Sequence, residues 1–192
     1  MSMHLIGISG FKRSGKDTAA DFIQLMAENH RIPTNRFAIA DTVIEKASAV
    51  FGFDPKDWDK LKVNGVMSIM SLSDGSIYRD VRDVVRDFGM ALVDADETYL
   101  VRKAEAKLQP FMLNIVTDVR FDREIEMIKR NGGLLIKIVR PGVGSDGHVT
   151  EQHLDDDKYD AIVVNDGDLD QLELRIANVC RCHYKTMFKD NK

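Results

Sequence analysis

The stretch Gly10-Phe11-Lys12-Arg13-Ser14-Gly15-Lys16-Asp17-Thr18 decides the fold of this chain. It follows a short apolar run of strand type at residues 5–8 and precedes a run with helical periodicity. That periodicity places five apolar side chains on one helix face, namely Ala19, Phe22, Ile23, Met26 and Ala27. A strand, a glycine-rich turn and a helix in succession are the context in which G-x-x-x-x-G-K predicts a loop for nucleoside triphosphates.

Each part of this loop has a physical role in holding phosphate. Gly10 and Gly15 permit backbone dihedrals and a close approach that a Cβ atom would prevent. The N–H groups of residues 12–18 can then point inward, and the helix N-terminus adds its positive dipole end. Lys16 supplies a point charge for the β- and γ-phosphates. We therefore expect ATP to contact Arg13, Ser14, Gly15, Lys16, Asp17 and Thr18.

The residue after the loop lysine departs from the common pattern. That position usually carries Ser or Thr, whose hydroxyl binds Mg²⁺. Here the residue is Asp17, and Thr18 follows one place later. Either the Asp17 carboxylate serves the metal, directly or through water, or Thr18 takes that role with altered geometry.

Composition narrows the class of protein. The 192 residues suffice for one α/β domain with small insertions, and 44% hydrophobic and 30% charged residues are ordinary for a globular protein. A net charge of −4 argues against a nucleic-acid footprint, which needs a dense basic face. No apolar run reaches membrane-spanning length, and Cys180 and Cys182 lie too close in sequence for a disulfide or a zinc pair. We expect a cytoplasmic protein without a membrane or nucleic-acid partner.

Apolar patterns along the rest of the chain alternate between strand and helix. Further strands are predicted at 36–40, 111–117, 134–139 and 159–164, and helices at 43–51, 77–108, 121–130 and 169–180. This alternation predicts a three-layer α/β fold of the P-loop NTPase type, with about five parallel strands and helices on both faces. Residues 52–76 lack a regular pattern, which is typical of a mobile binding segment.

Several charged side chains follow the predicted strands. Ligands of parallel sheets bind beyond the carboxyl ends of the strands, so Asp41, Asp118, Arg120 and Arg140 should meet the phosphate loop at one edge. Asp118 follows its strand where P-loop enzymes place an acid near Mg²⁺. The same position also suits the N-cap of the next helix, and the two roles are compatible.

A row of arginines lies on the helix predicted at 77–108. Arg79, Arg82 and Arg86 are spaced i, i+3 and i+7, which places them on one helix face. Such a row can hold a transferable phosphate and neutralise charge in the transition state. Aspartates are interleaved with the arginines, so plain surface ion pairs are the alternative interpretation.

Four segments resemble one family. Residues 7–22 closely resemble the opening of bacteriophage deoxynucleoside monophosphate kinases, which also carry G-K-D-T in place of G-K-S/T. The resemblance recurs at Val139-Arg140-Pro141-Gly142, at His148-Val149-Thr150-Glu151 and at Asn165-Asp166-Gly167-Asp168-Leu169. Asp118-x-Arg120 with Glu124 is similar to the D-x-R-x-x-x-E segment of the family, and Arg82 matches an arginine of its long helix.

The resemblance implies ATP- and Mg²⁺-dependent phosphorylation of a deoxynucleoside monophosphate to the diphosphate, for dNTP supply in the cytoplasm (of a host, if the chain is phage-encoded). Lys16, Arg82, Asp118 and Arg120 would then be catalytic. The acceptor would contact Lys12, Arg82, Asp118, Arg120 and Glu124, joined by Arg86 from the arginine row. Arg140 and Asn165 would border the adenine, and the metal would lie near Asp17, Thr18 and Asp118. The expected partners are ATP and a dNMP, with a homodimer as the assembly to test.

We expect a single P-loop kinase domain over 1–192, with an acceptor-binding insertion at about 52–108 and a lid at about 141–157. A phosphate acceptor has a second pKa near 6, so its oxygen is already a charged nucleophile and needs no strong base.

Two alternatives to this function stay open. One is a related kinase with an alcohol acceptor, such as dephospho-coenzyme A, with Asp41 or Asp118 as its base. The other is a P-loop module that binds ATP as a regulatory switch.

Overall fold

The computed structural model of the chain describes residues 4–68, 78–144 and 155–188. The chain forms two compact units, one consisting of Met1–Ala38 with Lys107–Lys192 and the other of Ile39–Ala106. The predicted insertion at 52–108 falls almost wholly within the second unit. Most of the predicted lid at 141–157, and the resemblance at residues 148–151, lie outside the described residues.

The regular elements are numbered in chain order. The strands are β1 His4–Ser9, β2 Thr34–Ala38, β3 Val66–Ser68, β4 Tyr78–Asp80, β5 Leu113–Thr117, β6 Leu134–Val139 and β7 Ala161–Val164. The α-helices are α1 Lys16–Asn29, α2 Ile39–Phe51, α3 Trp58–Asn64, α4 Val81–Ala95, α5 Tyr99–Ala106, α6 Asp122–Arg130 and α7 Leu169–His183. None of these helices, over the residues described, is both long and apolar enough to cross a bilayer.

The first unit is built on a five-stranded sheet in the order β2-β5-β1-β6-β7. All four strand pairs are parallel, which confirms the predicted sheet. Strand β1 lies at the centre, where Ile6 pairs with Ile115 of β5 and with Leu134 of β6. Because the strands are parallel, the segments that follow β1, β5 and β6 leave the sheet at the same edge.

Helices cover both faces of this sheet, as predicted. On one face Ile6 and Ile8 pack in a core that includes Ala19 and Ile23 of α1 and Ile176 of α7. On the other face α6 packs closely, since a Cβ atom on Gly7 would come within 2.9 Å of Ile128. The alternation of side chains along β1 therefore separates two apolar layers.

The second unit consists of α2 to α5 with an antiparallel pair of strands, β3 and β4. Ala47, Val81 and Val85 form the buried centre of this unit. Aromatic side chains pack around them, with Phe51 edge-on to Phe88 at 5.7 Å between ring centroids.

The single long helix predicted at 77–108 is wrong. Residues 78–80 form β4, and the rest forms α4 and α5, which are separated at Asp96. The Asp96 carboxylate accepts hydrogen bonds from the backbone N–H and the hydroxyl of Thr98, at 3.0 and 2.8 Å. These bonds offer the backbone a turn in place of a continuing helix, and α5 begins after it. Arg79 consequently lies in β4, so the predicted row on the helix is reduced to Arg82 and Arg86.

Two further predictions need correction. Residues 52–76 are not wholly irregular, because Asp54 caps a 3₁₀ turn at Pro55–Asp57 that leads into α3, where Trp58 packs on the second unit's core. Residues 69–76 of that segment lie outside the described residues. The second strand ends at Ala38 rather than Ala40, so Asp41 lies in the first turn of α2 and not at a strand end. Helix α2 begins directly after β2, with no turn between them. The apolar pattern of the sequence therefore did not show where the strand ends.

Candidate active site

The phosphate loop connects β1 to α1 in a tight, strained path. Gly10 and Gly15 have φ values of 145° and 103°, and Arg13 takes a left-handed conformation at 67°. The Ser14 N–H donates to the carbonyl of Phe11 at 3.1 Å, which closes the turn. The Asn165 side-chain amide donates to the Ser14 carbonyl at 2.9 Å and so supports the loop from the segment after β7. The loop is therefore held by contacts with the rest of the first unit.

The two loop glycines are required by space as well as by φ. A Cβ atom on Gly10 would press on the backbone carbonyl of Ile138 and lie 2.6 Å from the Ser14 hydroxyl. A Cβ atom on Gly15 would lie 2.5 Å from the Asn165 side-chain nitrogen. Backbone that comes this close to its neighbours has no room for any other residue type.

We predict that Gly15→Ala lowers the Tm and raises the KM for ATP. A left-handed conformation costs a non-glycine residue about 1–3 kcal/mol, and the new methyl group would push Asn165 away from the loop. Thermal melts and initial rates at varied ATP concentration measure the two effects. Gly132→Ala is the matched control, because Gly132 also has a left-handed φ, at 67°, but no atom lies within 4 Å of its Cβ position and it precedes β6, outside the candidate site. It should lower the Tm and leave the KM for ATP unchanged, and an equal rise of this KM in both variants would show that the loop conformation is not what matters.

Lys16 places a buried cation at the mouth of this loop. Its side chain is only 8% exposed, and Nζ donates to the Phe11 carbonyl at 3.1 Å. Nζ also lies 3.6 Å from Oδ1 of Asp118, which follows β5. The Arg120 guanidinium reaches the same oxygen at 3.3 Å. Two cations thus converge on one carboxylate beside the loop, an arrangement suited to binding anionic oxygens.

The turn after β5 has a defined backbone conformation. Asp118 has a φ of 60°, and the N–H of the buried Val119 donates to the Ile8 carbonyl at 3.1 Å. At the start of α6 the Glu124 carboxylate accepts the N–H groups of Arg120 and Phe121, at 2.6 and 3.1 Å. A non-glycine residue in this conformation is a strained feature of the kind that clusters at functional sites.

Glu124 differs electrostatically from the other carboxylates of the site. Its side chain is only 3% exposed, and this burial raises its pKa to about 7. The two backbone hydrogen bonds and the charges of Arg120 and Arg123 act in the opposite direction. Desolvation of the charged form outweighs these favourable contacts.

The loop offers donors that suit a polyphosphate. The hydroxyl of the buried Ser14 makes no hydrogen bond with any described residue. The first N–H groups of α1 have no acceptor within their own helix and carry the positive end of its dipole. A buried lysine, an unpaired buried hydroxyl and a row of backbone donors are the groups that anionic phosphate oxygens require.

The two candidate metal residues of the loop differ in their surroundings. Asp17 is largely exposed, and its carboxylate lies 3.6 Å from the Arg36 guanidinium, which also pairs with Asp21. Thr18 is half-buried. Within the described ranges, no three His, Cys, Asp or Glu side chains form a metal cluster. Protein sites usually hold Mg²⁺ with one or two carboxylates plus substrate phosphates, and Asp118 beside the loop fits that donor set.

The remaining predicted residues are distributed over the two units. In the first unit Lys12, Arg13 and Arg140 are exposed. In the second unit Arg86 is paired with Asp83 at 2.7 Å and with Asp87 at 3.4 Å, as the alternative of surface pairs anticipated. The exposed Arg82 side chain makes no ion pair with another residue in the part of the chain described, and its backbone N–H donates to the Asp80 carboxylate at 2.7 Å.

Sequence reasoning missed Arg36 and the burial of Glu124. Arg36 is a charged residue in the predicted second strand, next to the apolar Phe37. This position was the signal that its side chain needs an acidic partner. For Glu124 the signal was its place three residues after Phe121, where a glutamate turns back to the first backbone N–H groups of a helix. Neither signal specifies a partner without the fold.

A glycine-bearing phosphate loop on a parallel sheet, with its lysine beside a strand-end carboxylate, defines the class of P-loop nucleotide-binding proteins. Comparison with known proteins agrees with this class. The profile of the deoxynucleotide monophosphate kinase family matches residues 80–176, about half of the 192 residues, and the chain belongs to that family.

Two phage relatives extend over nearly the whole chain. The deoxynucleotide monophosphate kinase of Escherichia phage RB69 is 28% identical in an alignment that covers 93% of this chain and 100% of the phage protein. That of Enterobacteria phage T4 is 27% identical in an alignment that covers 93% of this chain and 99% of that phage protein. A crystal structure of TT1252 from Thermus thermophilus has a TM-score of 0.49 at 16% identity over 93% of this chain and 97% of that one.

Proposed function

We propose that the protein transfers the γ-phosphate of ATP to a deoxynucleoside monophosphate, giving ADP and the deoxynucleoside diphosphate for dNTP supply. The observation that carries this proposal is the buried Lys16 in the phosphate loop, 3.6 Å from an Asp118 carboxylate that Arg120 also contacts. The names of the phage relatives support the choice of acceptor. The partners are small nucleotides in the cytoplasm, with a homodimer as the assembly to test.

The phosphate loop would hold ATP. Backbone N–H groups and side chains of residues 13–18 would surround the β- and γ-phosphates, with the Ser14 hydroxyl and Lys16 Nζ as the buried donors. Asn165 would act by supporting the loop at Ser14 as well as by bordering the adenine, and the exposed Arg140 would lie near the base.

The metal would be Mg²⁺, which neutralises charge on the β- and γ-phosphates when bound. Asp118, with Thr18 or Asp17, would hold it together with the phosphates. The Arg36 guanidinium beside Asp17 favours Thr18 for direct contact and leaves Asp17 to act through water.

The acceptor would be held by Lys12, Arg82, Arg86, Asp118 and Arg120. Arginine side chains match a phosphate with two parallel N–H donors, and Arg82 and Arg86 are one helical turn apart on α4. The region at about 52–108 would supply this part of the site, and residues at about 141–157 would form a lid that excludes water.

The chemistry needs positioning and cations rather than a base. The acceptor phosphate is largely dianionic at neutral pH, so one of its oxygens can attack the γ-phosphorus without losing a proton. The new P–O bond forms as the bond from the γ-phosphorus to the bridging oxygen of ADP breaks, and ADP takes the electron pair. Lys16 and Arg120 would stabilise the negative charge on the transferred group throughout. In this scheme Asp118 pairs with both cations and so fixes their positions.

A coupled ADP-release assay tests the acceptor. It is run with dAMP, dGMP, dCMP and dTMP, their ribose counterparts, dephospho-coenzyme A and no acceptor. We expect release that depends on at least one dNMP. Release with dephospho-coenzyme A alone would establish the alcohol-acceptor kinase, and ATP binding without release in any mixture would establish the regulatory module.

A further inference from the structure

Glu124 is the most deeply buried carboxylate of the described residues, and it lies next to the candidate site without facing solvent. It is the third residue of α6, and a single oxygen, Oε2, accepts both the Arg120 and the Phe121 N–H groups. Phe121 precedes the first helical residue in an extended conformation. The carboxylate therefore fixes the backbone at the point where the turn after β5 enters the helix.

Backbone hydrogen bonds hold that turn at both of its ends. Its first half is tied to the central strand by the hydrogen bond from Val119 to Ile8, and its second half is tied to Glu124. Between these anchors Asp118 is held in a left-handed conformation. Because such a conformation is unfavourable for aspartate, loss of one anchor should let the turn relax.

The same turn carries the charged groups of the site. The Arg120 backbone is bound to Glu124, the Arg120 guanidinium to Asp118, and the Asp118 carboxylate lies near Lys16. A continuous line of contacts thus runs from a buried carboxylate below the turn to the lysine of the phosphate loop. Glu124 lies at its inner end.

We propose that Glu124 is a positioning residue of the acceptor site. Its carboxylate binds the Arg120 backbone N–H, fixes the orientation of Arg120 and does not contact the nucleotide. This inference rests on the proposed function. It assigns Glu124 a different role from the direct acceptor contact that the family resemblance implies, because its carboxylate accepts the backbone N–H groups of Arg120 and Phe121.

The electrostatics of Glu124 supply a test that needs no substrate. Burial raises its pKa to about 7 in the folded protein against 4.5 for an ordinary glutamate, and Arg120 and Arg123 are the charged groups that lower it. The folded state therefore keeps this proton over a pH range in which the unfolded state has lost it. The contribution of Glu124 to stability is greatest below pH 4.5 and falls as the pH rises through about 7.

Steady-state kinetics of Glu124→Ala and Glu124→Gln distinguish positioning from direct contact. Gln keeps an oxygen that can accept both N–H groups, whereas Ala leaves them unpaired. We expect Ala to raise the KM for dNMP by roughly tenfold or more, since a small misplacement of a binding group has effects of this size, with the KM for ATP nearly unchanged. Gln should stay within about threefold of the wild type, the range of one weak hydrogen bond. Glu126→Ala, at an exposed position of the same helix, is the matched control.

Several results would overturn the positioning role. If Gln raises the KM for dNMP as much as Ala, the carboxylate contacts the nucleotide directly. If Glu124→Ala lowers the Tm but leaves the KM for dNMP unchanged, Glu124 only caps α6. If the wild type phosphorylates no dNMP at all, the proposed function fails instead, and calorimetric titration of dNMP into the same variants then decides the role of Glu124.

Thermal melts between pH 5 and 8.5 complete the test. The wild type should lose Tm relative to Glu124→Gln as the pH rises through about 7, because Gln cannot ionise. Glu126→Gln should follow the wild type. A constant difference between the wild type and Glu124→Gln over this range would contradict the buried, backbone-bound carboxylate on which the inference depends.

Discussion

Lys16→Ala is expected to lower kcat by about 10² or more, the effect seen when one preorganised charge-stabilising donor is removed from an active site. Lys16 is the buried cation of the phosphate loop, and its Nζ is held by the Phe11 carbonyl and by Asp118. Initial rates at saturating ATP and dNMP measure the effect. The KM for ATP should change less than kcat, because the charge on the transferred group is greatest in the transition state.

The control for this experiment is Lys129→Ala, which removes an exposed lysine of α6. It should leave both kinetic constants unchanged. Circular dichroism must show that the Lys16→Ala protein is folded, since removal of Lys16 leaves the partly buried Asp118 with one cation instead of two. Near-normal turnover by a folded Lys16→Ala protein would contradict the phosphate-loop assignment.

Arg120→Lys is expected to reduce kcat/KM for dNMP by roughly 10- to 100-fold, which corresponds to the loss of one or two charged hydrogen bonds. A lysine keeps the charge but cannot present two parallel donors to a phosphate while also holding Asp118. kcat/KM for ATP should fall less. Arg82→Lys should affect dNMP in the same direction, because it is the described arginine of α4 without an ion pair to another described residue.

Arg130→Lys, at the exposed end of α6, is the matched control for Arg120→Lys. If Arg120→Lys and Arg82→Lys both keep wild-type constants for dNMP, the two arginines are ordinary surface residues. If Arg120→Lys lowers kcat/KM for ATP alone, Arg120 binds ATP and not the acceptor.

Features that depend only on residues close together in the sequence were predictable from it. The spacing of Gly10, Gly15 and Lys16 between an apolar run and a helical pattern predicted the loop, and the run at 134–139 predicted a buried central strand. Phosphate binding by the loop stays a prediction, whereas the strand–turn–helix path and the buried strand are confirmed. Each needs only local periodicity and the steric demand of a tight turn.

Other features depend on contacts between distant segments or on competing local hydrogen bonds. The break at Asp96 was missed because the apolar stripe continues in register on both sides of it. The pairing of Arg36 with Asp17 joins a strand to a helix 19 residues away, and the burial of Glu124 depends on how α6 packs on the sheet. Sequence patterns indicate that such residues need partners, but only the fold brings the partners together.

The most direct measurement of the central claim is transfer of label from [γ-³²P]ATP. The wild-type protein is incubated with Mg²⁺ and each dNMP in turn, and the products are separated by chromatography. We predict that the label appears in the matching deoxynucleoside diphosphate and that Lys16→Ala forms it at about one hundredth of the rate or less. Label found only in inorganic phosphate, or equally in the presence and absence of every dNMP, would contradict the account.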